Sequence, residues 1–392
     1  MNQKKIKTIL RQPFLKAWRK ILASFGWGSV PLGVAESARK LMTDPAGDHG
    51  ISMLREWAPL PLPRKPARFL PEDGHPYLAD ESPLRQLNPW VAVLHGAEVH
   101  GPSIGVTTRS RLLLKEVSIE WSHLAENHGL MRRFFLPPAI DLRGRILLLA
   151  TTGGDNYFHW MMDVLPRIEM VQKVAKSLKK FDRIVINSGQ TNFQKESLAQ
   201  FAIRPDQCVK VNSRVRYRCE ELWVPSLPSL MGYPTARNVR FLQRAFLGGK
   251  PFNKGRRILI GREPGKSRQT KGWDEVRKIL ISRGFKEIQP GKLPIRQQAR
   301  IFAEAEWVVG IHGAALTNLA FCRPGTRVVE ILGWDYVNPC YRALSDAAGL
   351  HYHALIGGDW SSSPVTRLDR PEAPIRLEAE KTRRFFRHIG LI

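Results

Sequence analysis

An α/β protein with two doubly wound domains facing one another across a cleft is the fold the sequence predicts, and three observations predict it. From Gly144 onward, strand-like and helix-like segments alternate, the pattern of parallel strands covered by helices. A turn-rich run, Gly248-Gly-Lys-Pro-Phe-Asn-Lys-Gly255, interrupts that series, and a second one begins after it. Within the second series, Glu306-Trp-Val-Val-Gly-Ile-His-Gly-Ala-Ala-Leu-Thr-Asn318 reads as a buried strand that turns directly into a helix. With 392 residues, 43% of them apolar, the chain has material for two or three domains with real cores.

The elements follow in order. Residues 1–71 read as a basic N-terminal segment and a poorly structured, proline-rich lead-in, of which Pro59-Leu-Pro-Leu-Pro-Arg-Lys-Pro66 is extended. Residues 72–247 form the first domain. Its early part is β-rich, with short strands at Val91–Leu94, Val106–Thr108 and Leu112–Leu114 between Gly, Pro and Ser turns. Strands at 145–150, 183–186, 209–211 and 221–224 then alternate with helices at 157–178, 193–202 and 236–247. Residues 248–392 form the second domain, with strands at 257–260, 285–288, 307–311 and 327–331. Helices are expected at 273–282, at 294–305 with proline in its first turn, and from Ala315.

Charge and cysteine content narrow the chemistry. The net charge of +26 favours partners that carry phosphate or other negative charge: nucleic acid, anionic lipid or a phosphorylated substrate. Cys208, Cys219, Cys322 and Cys340 form no CxxC pair, so neither a zinc site nor a disulfide framework is indicated, and a reducing compartment fits. No run approaches the ~20 apolar residues of a transmembrane helix. The first 20 residues hold seven Lys or Arg and no acid, with apolar residues from Ile6 to Leu22 at roughly helical spacing. Such a segment suits either peripheral contact with an anionic membrane or a solvated basic tail. The location expected is cytoplasmic, at the inner face of a bacterial membrane.

Three segments can carry chemistry. At the strand-to-helix turn, unpaired backbone N–H groups and the helix dipole attract anions, and Gly313 and Ala314 let a phosphate approach the backbone. His312 stands at the lip of that corner as a hydrogen-bond donor. In Gly154-Asp-Asn-Tyr-Phe-His-Trp-Met-Met-Asp-Val-Leu-Pro-Arg167, His159 and Asp163 are four apart and share a helix face, either as a proton-abstracting pair or as an ordinary surface pair. Asp155 and Asn156 suit an N-cap. The third segment, Arg257 to Arg268, runs from a strand into a loop with Arg262, Lys266 and Arg268, which can clamp a diphosphate or be merely solvated. Its Gly261-x-x-x-Gly265-Lys266-Ser267 is one residue short of a P-loop, and Pro264 removes an N–H. Glu330, at the end of a strand, can hold ribose hydroxyls. There is no D-x-D and no histidine cluster with metal-ligand spacing, so no metal site is expected and no cofactor is called for.

Taken together, these segments resemble glycosyltransferase family 61, over about residues 90 to 335. The resemblance rests on Asn156-Tyr-Phe-His159 with Asp163, on Arg262 and Arg268, and on Gln298 with Phe302 and Ala305. It continues through His312-Gly-Ala-Ala-Leu-Thr-Asn318, Pro324-Gly325 and Glu330-Ile331. The family includes xylosyl- and N-acetylglucosaminyltransferases and bacterial capsular polysaccharide biosynthesis proteins. The resemblance implies a GT-B architecture and an inverting, metal-independent transfer from a nucleotide sugar, expected to be a UDP-sugar, to a glycan or lipid-linked acceptor. It implies His159 and Asp163 as the base pair, and Arg262, Arg268, His312, Gly313, Ala314, Asn318 and Glu330 around the donor. One departure stands out: where the family often has an Asn-Glu pair, this chain has Gly272 and Trp273, followed by Asp274 and Glu275. Two other functions are compatible with the sequence. One is a basic nucleic-acid-binding protein, against which no RRM, KH or helix-turn-helix signature is visible. The other is a non-catalytic scaffold of a polysaccharide assembly complex.

Overall fold

The computed structural model describes Ala17, Ile21 and residues 30–45, 47–61, 65, 67–70, 88–120, 127–133, 135–249, 255–261, 270–334, 336–358 and 375–392. Apart from Ala17 and Ile21, the basic N-terminal segment lies outside the described residues, as does half of the proline-rich run 59–66. Two compact units emerge. The first comprises residues 1–58 and 88–228, the second residues 59–87 and 229–392.

The first unit is built on one mixed sheet. Its elements are β1 (Gly33–Ala35), α1 (Ala38–Met42), β2 (Ile51–Glu56), β3 (Trp90–His100), β4 (Gly105–Thr107), β5 (Leu112–Leu114) and β6 (Ala139–Leu148). A helical stretch follows in three parts: α2 (Tyr157–His159), a π-helical turn (Trp160–Val164) and α3 (Pro166–Ala175). Then come β7 (Arg183–Ile186), α4 (Asn192–Gln200), β8 (Cys208–Lys210) and β9 (Arg216–Pro225). Strand order is β1-β5-β4-β3-β9-β6-β7-β8, with β2 on β3. Strands β9, β6, β7 and β8 are parallel, whereas β3 is antiparallel to β2, β4 and β9. The first unit is therefore a parallel α/β half joined to an antiparallel meander. Ala92, Leu94, Ile146, Leu148, Val185, Leu222 and Val224 of these strands pack together in the core.

The lead-in expectation is corrected here. β1 and β2, with α1 between them in the chain, belong to the first unit; β1 lies parallel to β5 and β2 antiparallel to β3 in its sheet. Sequence reasoning missed them because each is three to six residues long and only half-buried, which leaves little periodicity. Part of the supposed linker is also fastened down. Arg68 bridges in parallel to His353, its N–H donating to the Tyr352 carbonyl at 3.2 Å, and Leu70 enters the second unit's core.

The second unit is a fully parallel five-stranded sheet, ordered β12-β10-β13-β14-β15. Its elements are α5 (Ala236–Leu247), β10 (Arg256–Ile260), β11 (Thr270–Lys271), α6 (Trp273–Ser282), β12 (Lys286–Ile288), α7 (Ile295–Ala303) and β13 (Ala305–Ile311). A 3-10 helix (Ala314–Phe321), β14 (Arg327–Gly333), α8 (Cys340–Ala348), β15 (His351–Gly357), β16 (Ile375–Arg376) and α9 (Ala379–His388) complete it. β13 is apolar nearly throughout because both faces of a parallel strand are covered. Val309, Ile311, Val329, Ile331 and Leu355 meet Phe385 and Phe386 of α9 in the core. The boundary falls before α5 rather than at Gly248. That glycine, at φ 65°, is the left-handed C-cap of α5, so the turn-rich run begins as a helix end and not as the break between the units. Among the described residues no helix is long and apolar enough to cross a membrane.

Candidate functional site

In the first unit the site grows from the carboxyl end of β6. Asn187, just past β7, holds the following loop through both ends of its amide: Oδ1 accepts from Thr151 N–H at 3.1 Å and Nδ2 donates to Thr151 C=O at 2.9 Å. A Cβ at Gly154 would lie 2.1 Å from that Oδ1, so only glycine lets the loop pass this close. Asp155 accepts from Ser188 N–H, from Ser188 Oγ at 2.7 Å and from Gln194 Nε2 at 3.0 Å. The N-cap is Asn156 alone, accepting from Phe158 N–H at 2.8 Å.

The expected single helix over 157–178 is interrupted, and the interruption has a cause. Pro166 has no N–H with which to continue the α ladder. The turn before it widens to a π register, where Leu165 N–H donates to Trp160 C=O at 2.9 Å. His159 and Asp163 still meet, with Nδ1 to Oδ2 at 2.7 Å. Asp163 is 1% exposed and His159 17%. Because an ionised carboxylate only accepts, His159 donates from Nδ1, which makes Nε2 the nitrogen whose lone pair can take a proton. Arg167, four residues on, is fully buried and donates to the carbonyls of Leu149, Ala150 and Ser226 at 3.1, 3.1 and 3.2 Å. Burial pushes its guanidinium down to about 10, and the Asp163 charge opposes that fall. At neutral pH a cation thus stands behind Asp163. Sequence reasoning places Arg167 at the end of this segment but assigns it no role, although its spacing from Asp163 was the available signal.

In the second unit β13 ends at Ile311, and His312 N–H donates to Ile331 C=O at 2.9 Å. Gly313 continues in extended conformation, and a 3-10 helix, not an α-helix, begins at Ala314. Gly313, Ala314 and Ala315 are partly exposed, and the first N–H groups of any helix lack intrahelical acceptors. The side chain of His312 turns inward. Its Nδ1 makes a very short hydrogen bond to Glu330 Oε1, and its ring lies edge-on to Tyr336 and Tyr341, at 5.4 and 5.1 Å between centroids. Tyr352 donates its hydroxyl to Glu330 Oε2 at 2.5 Å. Burial and the adjacent carboxylate hold the Tyr352 phenol well above its ordinary range, so it stays a donor.

Two expectations change here. Glu330 has no exposed surface and both oxygens engaged, so it orients His312 instead of reaching a ribose. Asn318 is fully buried and donates to Gln298 Oε1 at 2.8 Å and to Ala315 C=O at 3.1 Å, bracing the 3-10 helix against α7. Arg262 and Arg268 lie outside the described residues. At the family departure, Gly272 has φ 80°, and a Cβ there would lie 2.2 Å from the Leu377 carbonyl oxygen. Its position is set by the pairing of β11 with β16, where Leu377 N–H donates to Lys271 C=O at 2.9 Å. Glu275 faces away into an ion pair with Arg383 at 2.9 Å.

Residues 157–329 match the model of the family Glycosyltransferase 61. A β-1,2-xylosyltransferase of Oryza sativa subsp. japonica, RCN11, is 39% identical over 61 residues, covering 16% of this chain and 11% of that protein. A β-1,2-xylosyltransferase of Arabidopsis thaliana is 26% identical over 78 residues, covering 20% of this chain and 15% of that protein. The chain thus matches only a small part of the length of these curated relatives. Among solved structures, a dodecameric iron-containing heptosyltransferase, TibC, in complex with ADP-D-beta-D-heptose is 13% identical with a TM-score of 0.28, covering 69% of this chain and 74% of that one.

Proposed function

We propose that the glycosyltransferase 61 domain of this chain carries out an inverting, metal-independent transfer of a sugar from a nucleotide sugar to a glycan or lipid-linked acceptor. The observation that carries this reading is the His159–Asp163 pair, held at 2.7 Å at the start of the family match and backed by Arg167. In this scheme His159 Nε2 takes the proton of the acceptor hydroxyl, and Asp163 stabilises the imidazolium that forms. The hydroxyl oxygen attacks the anomeric carbon from the face opposite the leaving diphosphate, which inverts that centre. The corner at His312, Gly313 and Ala314 would receive the diphosphate through backbone N–H groups, with Arg262 and Arg268 as further cations. Glu330 would hold the His312 ring in place beside that corner.

A UDP-sugar donor, an acceptor in surface or capsular polysaccharide synthesis, and a cytoplasmic location with the basic N-terminus against an anionic membrane complete the proposal. The net charge of +26 and the acid-free first 20 residues support the last part. The deciding experiment pairs a thermal-shift screen over nucleotide sugars with a transfer assay on His159→Ala. The variant is expected to keep the donor-induced shift and to lose transfer by about 10²-fold or more. Transfer at the parental rate would remove His159 from the reaction.

A further inference from the structure

Outside the stretch that matches the family, the first unit holds a second set of reactive side chains. Asp44, His49 and Ser110 meet where the segment after α1 passes the turn joining β4 to β5. His49 Nδ1 lies 2.6 Å from Ser110 Oγ, and His49 Nε2 lies 3.0 Å from Asp44 Oδ2. Chemistry fixes the direction of each bond. The carboxylate only accepts, so Nε2 carries the ring proton and donates to Asp44; Nδ1 is then the lone-pair nitrogen, and Ser110 donates its hydroxyl hydrogen to it. On the other side, Leu112 N–H donates to Thr108 Oγ1 at 3.1 Å, which turns the Thr108 hydroxyl hydrogen toward Ser110 Oγ at 2.9 Å.

The surroundings hold this set in place. Asp48 ties the two segments together, accepting from Gly50 N–H at 2.8 Å and from Arg109 Nη1 at 3.1 Å. Gly50 sits at φ 75°, where a Cβ would lie 2.4 Å from the His95 carbonyl oxygen, so the chain beside His49 requires glycine. The Thr108–Arg111 turn closes with Arg111 N–H donating to Thr108 C=O at 2.8 Å, and Arg111 adopts φ 62°, a left-handed conformation uncommon for arginine. His49 is buried while Ser110 is only half-buried, so the imidazole is shielded and the hydroxyl can be reached. Neither the Arg109 nor the Ser110 backbone N–H has an acceptor among the described residues.

We propose that Ser110, His49 and Asp44 form a second catalytic site, a serine-nucleophile centre that hydrolyses carboxylic esters. Ser110 Oγ bonds to the acyl carbon as its proton passes to His49 Nδ1, and the N–H groups of Arg109 and Ser110 are the donors that can meet the oxyanion. The bond to the leaving alcohol then breaks, and the alcohol takes the proton from His49. Water attacks the acyl-serine, gives its proton to His49, and Ser110 leaves with that proton restored. Ester and water become carboxylic acid and alcohol, with no oxidant or metal consumed. An ester fits better than an amide because a departing alcohol needs less help from an acid than a departing amine. The inference does not depend on the sugar-transfer proposal, since its residues lie in other elements and outside residues 157–329.

The test treats the full chain with a fluorophosphonate probe and, separately, with p-nitrophenyl acetate. A covalent adduct on the Ser110 peptide is expected by mass spectrometry, together with ester hydrolysis above the buffer rate. Ser110→Ala should lose both, and Asp44→Asn, which keeps the shape of the side chain, should slow labelling by about 10²-fold or more. His159→Ala should label as the parent does. The folded parent yielding no Ser110 adduct would overturn the proposal without recourse to any variant. Labelling of a folded Asp44→Asn at the parental rate would overturn it too, because the contacts would then be only a tie between two loops.

Discussion

Glu330 shows how a single buried carboxylate can set the chemistry of a neighbour. Oε1 faces His312 and Oε2 faces Tyr352, and the residue has no exposed surface. Removing the Tyr352 hydroxyl leaves Oε2 buried without that donor. Tyr352→Phe is therefore expected to lower stability by about 1–3 kcal/mol in denaturant unfolding and to weaken nucleotide binding through a less firmly held His312. On the sequence, Glu330 was visible as a carboxylate at a strand end, but its partner was not. His312 and Tyr352 reach it from strands that become neighbours only when β13, β14 and β15 pair. His159 and Asp163 were legible for the opposite reason, since both lie within one turn of chain.

At the scale of elements, Pro166 makes the difference between a plain α-helix and the π turn that carries Asp163. Pro166→Ala restores an N–H that can bond within the α register. Because the α register also sets residues four apart side by side, the expected result is a His159–Asp163 pair that persists, with transfer near the parental rate while the melting temperature holds or rises; loss of transfer in the folded variant would show that the π register itself is needed. The start of α6 offers a second test. Gly272→Asn puts a Cβ against the Leu377 carbonyl. A loss of about 1–3 kcal/mol is expected in chemical unfolding, because backbone and not a flexible side chain blocks the space. Boundaries of α5 and α6 were read correctly to the residue, since Thr235, Gly248 and Gly272 punctuate them locally. The 3-10 form of the helix after Gly313 was not, since nothing in Ala314–Phe321 distinguishes the two registers by composition.

Across the whole molecule, each unit buries a histidine at a cost that pH will reveal. Burial lowers His100 to about 3 in the first unit and His353 to about 4 in the second. An unfolded chain titrates its histidines near 6.5. Between that value and the folded ones, the unfolded state binds protons the folded state refuses. Stability should fall as pH drops from about 6.5 toward 4, by roughly 1.4 kcal/mol per pH unit per histidine at steepest. Urea unfolding across that range checks it, and His353→Gln should flatten the slope attributable to the second unit. The catalytic proposal predicts at this scale that sugar transfer persists in excess EDTA, read as release of nucleoside diphosphate.

The sequence by itself determined the alternation of strands and helices, the parallel core of the second unit, the His159–Asp163 pair and the turn at Gly313. All of these are short-range patterns: periodicity, capping and spacing within a few residues. Only the tertiary structure decided that residues 33–56 complete the first unit's sheet, that Arg68 lies along β15, and that Glu330 serves His312. The same holds for the meeting of Asp44, His49 and Ser110. Each of these joins residues from 18 to 285 positions apart along the chain or adds a short strand whose place depends on its partner. Packing selects such contacts through burial and hydrogen-bond demand that no local pattern encodes.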